Sequence, residues 1–395
     1  MTFTAAAAAT VDELLARYAE GAAFFSSRHR SLLGEGVVSR LDGPAPASWA
    51  AAAGAALESA PADGDGDAVL LGVFGFAPQT PARLVVPRSV HRAGPVRAEP
   101  GRPLPPVTAG GEWDVRSRPE PERFEAGVQA VLDGIAAGDL EKVVLARSLE
   151  ITAPGPVDAA ALLRRLAAGN PRGHIFAVDV TRPEDSAPRT LVGASPELLV
   201  ARSGRTVTVN PLAGTARRAL DPTADRAVGT ALARSAKDRH EHTIVVDEVR
   251  RALRPYCTEL HVPDEPLLIR TPALWHLSTR IVATLRDPTT SSVALAQALH
   301  PTPAVGGMPR AAALEAIREV EGFDRDHYTG VVGWCDRSGD GEWAVVLRCA
   351  EVVGATVRLF AGGGVVAGSV PSVELAESRA KFRTLLAALD VRAEP

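Results

Sequence analysis

Three strand-like runs near the C-terminal end, residues 330–334, 343–353 and 356–366, are separated only by short turns, the first containing Ser338-Gly339-Asp340-Gly341. Connections of that length join antiparallel neighbours, because a parallel crossover needs a dozen or more residues. The same pattern recurs upstream, where residues 191–192, 198–201 and 206–209 read as a meander of short strands. Residues 143–151 and 174–180 are further strands. Helical spacing marks 120–137, 159–168, 225–253, 294–299, 310–320 and 372–389. Strands that arrive in hairpins, not in alternation with helices, place the chain in the α+β class with large antiparallel sheets.

Before residue 119 the pattern is weaker. Residues 11–60 read as helix and then loop, 63–67 as an Asp/Gly turn, and 68–77 as a buried strand. From 86 to 118 proline and glycine are frequent and periodicity is poor, which marks a variable loop or an internal boundary. The expected division is an N-terminal portion, 1–118, that completes the sheets, and a core of 119–390, together one compact unit.

Charge and cysteine usage narrow the partners. Formal net charge is -4, with arginines scattered among acids, which argues against a nucleic acid or a membrane surface. No apolar stretch reaches the roughly 18 residues of a membrane span. The first ten residues lack the basic start of a signal peptide. Cys257, Cys335 and Cys349 have no metal-ligand spacing and read as reduced thiols of a cytoplasmic protein. Of the 43 Lys and Arg residues only three are lysines: Lys142, Lys237 and Lys381. Arginine stays charged, whereas a lysine amine is compact and can give up its proton when buried.

Lys381 follows Glu374 and Glu377 at i+7 and i+4, on one face of the last helix. Ahead of them runs the glycine-rich segment 361–369, whose backbone N–H groups can approach an anion closely. An amine, two carboxylates and such a segment suggest a site for an acidic substrate bridged by a divalent metal. In the second cluster, Lys237-Asp238-Arg239-His240-Glu241-His242, Lys237 and Glu241 share a helix face, which is also what an exposed salt-bridged helix looks like. Zinc lacks a third ligand nearby, and a hard oxygen-liganded ion such as magnesium fits better. Glu197, between turn residues and apolar ones in 193–199, suits a general acid of raised pKa or a turn-stabilising acceptor. Residues 210–215 read as a small-residue turn with no reactive side chain.

Taken in order, these segments resemble the chorismate-utilising enzymes, and among them the isochorismate synthases of catechol siderophore pathways of the enterobactin and bacillibactin type. The resemblance is carried by Lys-Val-Val-Leu-Ala-Arg at 142–147, by 193–199, 211–215 and 237–242, and by Leu-Trp-His-Leu at 274–277. It continues through His-Pro-Thr-Pro-Ala at 300–304, 330–336, 339–350 and 362–381. It covers roughly the last two-thirds of the chain; residues 1–118 match loosely. It implies the fold of anthranilate synthase component I, a sandwich of large antiparallel sheets surrounded by helices, with the site in the cleft between sheets. It also implies Mg2+ held by Glu241 and Glu377, with Asp238 and Glu374 behind them, binding the ring carboxylate of chorismate. Arg348, Tyr328 and the backbone at Gly362 would hold the enolpyruvyl carboxylate. Gly214, Thr215, His276 and Ala304 would line the ring, and Lys381 would sit near the carboxylates.

In isochorismate formation water adds at C2 as the C4 hydroxyl leaves, which needs a base on one side and an acid on the other. The resemblance makes Lys142 the base and Glu197 the acid. Starting from about 10.4, a lysine that works near pH 7 needs a shift of roughly 3 units, or about 4 kcal/mol.

Relatives that add ammonia carry glutamine at position 142 and use a glutamine amidotransferase. The aminodeoxychorismate branch has a nucleophilic lysine where Ala213 stands. Both comparisons favour water as nucleophile, with no amidotransferase partner, and the family's usual state is a monomer. A salicylate synthase, which goes on to eliminate pyruvate, and a menaquinone-pathway isochorismate synthase are the enzyme alternatives. A non-catalytic chorismate-binding scaffold is the other; the retention of Lys142, Glu197, Glu241, Arg348 and Glu377 together speaks against it.

Overall fold

The 343–353 run is not one strand. In the computed structural model, which describes residues 9–43, 48–61, 68–99, 101, 103–185 and 187–392, it divides into Gly341–Val345 and Cys349–Val353, and the two lie in different sheets. Gly341–Val345 pairs with Val331–Asp336 and Leu198–Ser203. Cys349–Val353 pairs with Thr356–Val366 and Arg189–Ser195. Between them the chain turns at Arg348, whose φ is +49°. A continuous apolar run buried on both faces carries no periodicity that reports such a break.

Among the described residues, the sheet that receives Cys349–Val353 has ten strands and the other has nine. Both are antiparallel at the junctions that build them. The N-terminal strands join both: Ala23–Ser26 pairs with His174–Asp179 in the first, and Val69–Phe74 with Val331–Asp336 in the second. The facing surfaces interdigitate through Phe25, Phe176 and Phe360 from one sheet and Leu71, Val73 and Trp334 from the other. Each such aromatic or aliphatic side chain contributes about 1.5–3 kcal/mol when fully buried. Helices Ala159–Gly169 and Pro371–Leu389 cover the outside of the ten-stranded sheet. Trp49–Ser59, Ala236–Leu253 and Ser292–Leu299 cover the nine-stranded one. The class is α+β, a two-sheet sandwich between helices.

Four expectations need correction. Residues 11–60 contain strands Ala23–Ser26, Ser31–Glu35 and Ser39–Gly43 between two helices. The stretch 86–118 is partly strand, at Ser89–Ala93 and Asp114–Arg118. The helix read at 225–253 is two, Pro222–Arg234 and Ala236–Leu253, divided at Ser235, whose hydroxyl caps the second by accepting from the Asp238 N–H. Residues 210–215 are not a turn: Leu212–Arg217 is a strand paired with Leu274–Ser278 in a separate three-stranded sheet. The turn at 63–67 and the first eight residues lie outside the described residues.

Candidate active site

Strand Lys142–Thr152 runs beside Thr356–Val366 along its whole length, with Lys142 opposite Val366 and Val144 opposite Gly364. Residues 361–366 of the glycine-rich segment are therefore strand, within the run read at 356–366, and the missing side chains make room. A Cβ on Gly364 would lie 2.1 Å from Glu241 Oε1 and 2.9 Å from Lys142 Cε. One on Gly363 would lie 3.2 Å from Glu374 Oε2 and 3.4 Å from Glu377 Oε1. Carboxylates from helices Ala236–Leu253 and Pro371–Leu389 thus converge over this bare stretch of backbone.

Each lysine of the chain is bound to one of these carboxylates. Lys142 Nζ donates to Glu241 Oε1 at 2.9 Å. Lys237 Nζ reaches Glu374 Oε1 at 2.8 Å, so its ion-pair partner is on the C-terminal helix and not Glu241 on its own. Lys381 Nζ meets Glu377 Oε1 at 2.5 Å and the Gly362 carbonyl at 2.6 Å. Burial works to raise the Glu241 carboxyl, but Lys142 and then the other two lysines outweigh it and hold the group below its ordinary value. Glu374 goes the other way, raised by burial and by the charge of Glu377. Burial also raises Asp238.

Across the cleft, Glu197 is buried beside Pro196 and receives the Leu212 N–H at 3.5 Å. Burial pushes its carboxyl up to about 7, partly opposed by that N–H and by Lys142. Gly214, at φ +76°, forms a bulge between Ala213 and Thr215. A Cβ there would press on Asp238 at 3.1 Å. The bulge leaves Thr215 Oγ1 3.1 Å from His276 Nδ1, its cross-strand partner. Burial, with Arg348 and Lys381 nearby, lowers the His276 imidazole well below its ordinary value, and its Nε2 is buried without a partner. Burial likewise lowers the Arg348 guanidinium and raises the Tyr328 phenol. Tyr328 stacks on Phe360 with centroids 4.9 Å apart.

A cavity of about 60 Å³ sits where these groups meet. Glu197, Gly214, Thr215, Glu241, His276, Ala304, Tyr328, Arg348, Gly362, Glu377 and Lys381 all border it. Lys142, Asp238 and Glu374 stand behind the first row. Through Pro196 and Arg348 it adjoins an outer cavity of about 550 Å³.

Sequence reading missed Thr329, which also borders the site with φ +61°, a costly conformation for a β-branched residue. It missed Arg325 as well, buried and ion-paired with Glu321. Arg325 donates to the Thr329 hydroxyl at 3.2 Å and to the Val305 and Val144 carbonyls at 2.7 Å each. Glu321 and Thr329 are each four residues from Arg325, but the Val144 and Val305 carbonyls come from two distant segments that no local pattern announces.

As the side chains stand, no three His, Cys, Asp or Glu donors among the described residues are gathered to hold a metal ion. The donor chemistry nevertheless suits magnesium, which keeps several waters and takes one or two carboxylates. Glu241 and Glu377 face the cavity, and Glu374 Oε2 is buried with no hydrogen-bond partner among the described residues.

Fold and site together define a small, enclosed polar cleft of the kind enzymes use. The family model described as "Chorismate binding enzyme" matches residues 102–390. Isochorismate synthase DhbC of Bacillus subtilis (strain 168) is 46% identical over 385 residues, which is 96% of this chain and 96% of that one. A Mycobacterium tuberculosis relative (strain H37Rv) bearing the name isochorismate synthase MenF is 48% identical over 328 residues, 82% of this chain and 87% of its own. The solved Bacillus anthracis DhbC, described as a 2,3-dihydroxybenzoate-specific isochorismate synthase, superposes with a TM-score of 0.91 at 42% identity, covering 96% of this chain and 100% of that one. The chain belongs to the chorismate-binding enzyme family.

Proposed function

We propose that this protein is an isochorismate synthase, converting chorismate to isochorismate by adding water at C2 with loss of the C4 hydroxyl. The observation that carries the reading is Glu197, a buried carboxyl that burial raises to about 7, in a pocket where Arg348 and Lys381 offer positive charge for carboxylates beside Glu241 and Glu377. A carboxyl at that value is protonated enough to donate to a leaving hydroxyl and can be reprotonated at neutral pH. Identity near half with isochorismate synthases over most of the chain supports it.

Lys142 is the base for the incoming water, released for that work from the carboxylate that holds it. Arg348 binds the enolpyruvyl carboxylate with Tyr328 and the Gly362 backbone. Thr215, His276, Ala304 and Gly214 fix the ring; His276, kept neutral by burial, offers Nε2 as its free ring nitrogen. Glu241 and Glu377 would hold magnesium, with Asp238 and Glu374 behind them; when bound, the ion supplies positive charge for the ring carboxylate. A water nucleophile needs no amidotransferase partner, and the reading is of a cytoplasmic monomer. Among the described residues no helix is long and apolar enough to cross a membrane.

The likeness to DhbC favours supply of a catechol siderophore pathway. The likeness to the solved MenF of Escherichia coli, described as a menaquinone-specific isochorismate synthase, supports a menaquinone role as second reading.

Purified protein incubated with chorismate, with and without magnesium, tests the reaction. Isochorismate should form only with the metal. Salicylate plus pyruvate would move the protein to the salicylate synthases. Lys142→Gln should keep the circular dichroism spectrum and lose water addition; full turnover would remove Lys142 from the base role.

A further inference from the structure

On the other side of the C-terminal helix lies a cavity of about 1080 Å³ that shares no bordering residue with the catalytic pocket. Its character is set by arginine. Two of its arginines are paired, Arg116 with Asp114 at 2.8 Å and Arg118 with Glu150 at 3.0 Å. Five others, Arg123, Arg147, Arg217, Arg379 and Arg383, make no ion pair among the described residues. The carboxylates on its wall are Glu120 and Glu321, and Glu321 is already bound by Arg325.

Exposed arginines on a helix face are ordinarily just solvated, and Arg379 and Arg383 alone would carry no argument. Arg147 is different. It is wholly buried, on the opposite face of its strand from Lys142, as the odd spacing of five residues requires. Its guanidinium donates to Ser117 Oγ at 2.6 Å and Ser378 Oγ at 3.1 Å, both neutral, and its Nε has no acceptor among the described residues. Burial, with Arg379 adding repulsion, brings this group down to about 10. A buried cation without a counter-ion and with a spare N–H is unfavourable unless something completes it. An anion in the adjoining cavity would do so, and the guanidinium forks around it suit oxyanions.

We propose that this cavity is a second binding site, for a small anion carrying three or more negative charges, either a polyphosphate or an aliphatic polycarboxylate. Among the described residues no aromatic side chain borders it, so they offer no stacking surface for a nucleobase or phenolic ring, and the ligand is recognised by charge.

Isothermal titration of the full chain, without magnesium, against pyrophosphate, citrate and sulfate tests this. Pyrophosphate or citrate should bind at one site with a Kd below about 1 mM, and whichever binds tighter identifies the ligand source. Sulfate should bind at least tenfold more weakly, roughly as its lower charge dictates. The double variant Arg379→Ala/Arg383→Ala, at exposed positions that spare the fold, should weaken binding about tenfold or more. Arg147→Met should do the same if it folds, while Arg348→Met, in the catalytic pocket, should leave binding unchanged. The proposal is overturned if none of the anions saturates up to about 10 mM, if sulfate binds as well as the others, if the double variant binds normally, or if Arg348→Met abolishes binding.

Discussion

At the scale of single residues the chemistry rests on how burial acts on Glu197. An ordinary glutamate is ionised at neutral pH and cannot donate a proton; this one is held at about 7 because it has left water. As the acid it must be protonated, so the rate falls as pH rises through its pKa. The expected profile of kcat/KM has a descending limb near pH 7. Glu197→Gln should remove that limb and lower kcat by about 10²–10⁴-fold without changing the far-ultraviolet spectrum. A variant that keeps both rate and limb would take the acid role away from Glu197. The three lysines and Glu197 were legible one by one, because a lysine among forty arginines or a carboxyl in an apolar run stands out in sequence, whereas Gly214, Thr215, His276, Ala304, Tyr328 and Arg348 came only through the family resemblance. Their pairings were not. Lys237 was read against Glu241, four positions away, but it binds Glu374, 137 positions away. Helix periodicity reports neighbours on one face and nothing about what another helix brings to it.

At the scale of elements, two glycines of similar crowding, one in strand Thr356–Val366 and one in strand Val331–Asp336, do different work. At Gly364 an added Cβ meets the flexible ends of Glu241 and Lys142. At Gly333, in Val331–Asp336, it meets the Glu342 carbonyl at 2.1 Å and the Trp343 Cα at 2.8 Å, both fixed backbone. Side-chain ends can move and backbone in a ladder cannot. Gly333→Ala should therefore cost about 1–3 kcal/mol of stability, visible in thermal melts. Gly364→Ala should melt nearly as the parent does but bind magnesium weakly and turn over slowly, since the Glu241 carboxylate is displaced. Equal melting losses in the two variants would mean that Gly364 serves the sheet and not the site. The sequence showed the glycine run as an anion-cradling segment. The strand at 356–366 was legible, but its spacing could not say that it pairs with Lys142–Thr152 and has carboxylates leaning over it. The break at 346–348 was hidden for a related reason: hydrophobic residues on both sides of the break are buried, and only the third dimension separates one sheet from the other.

At the scale of the whole molecule, a chain of net charge -4 is read as drawing in an anionic substrate. The outer cavity that adjoins the site at Arg348 is bordered by Arg28, Arg172, Arg218 and Arg270. Arg218 is neutralised by Asp225 at 2.7 Å, and Arg28 leans on the Arg172 carbonyl at 3.1 Å. Arg172 and Arg270 are exposed and have no ion-pair partner among the described residues, so their charge projects into the approach. A locally positive mouth on a negative protein raises the encounter rate with a dianion more than it tightens the bound complex. The expected signature is kinetic. For the parent, kcat/KM should fall as ionic strength rises, because charges farther apart than about 10 Å are screened at 0.1 M. Arg172→Ala/Arg270→Ala should lower kcat/KM by about 3–10-fold at low salt while leaving kcat within roughly twofold. The difference from the parent should close at about 0.5 M salt. A drop that persists at high salt, or one that appears in kcat, would show that these arginines touch bound substrate and do not merely guide it in.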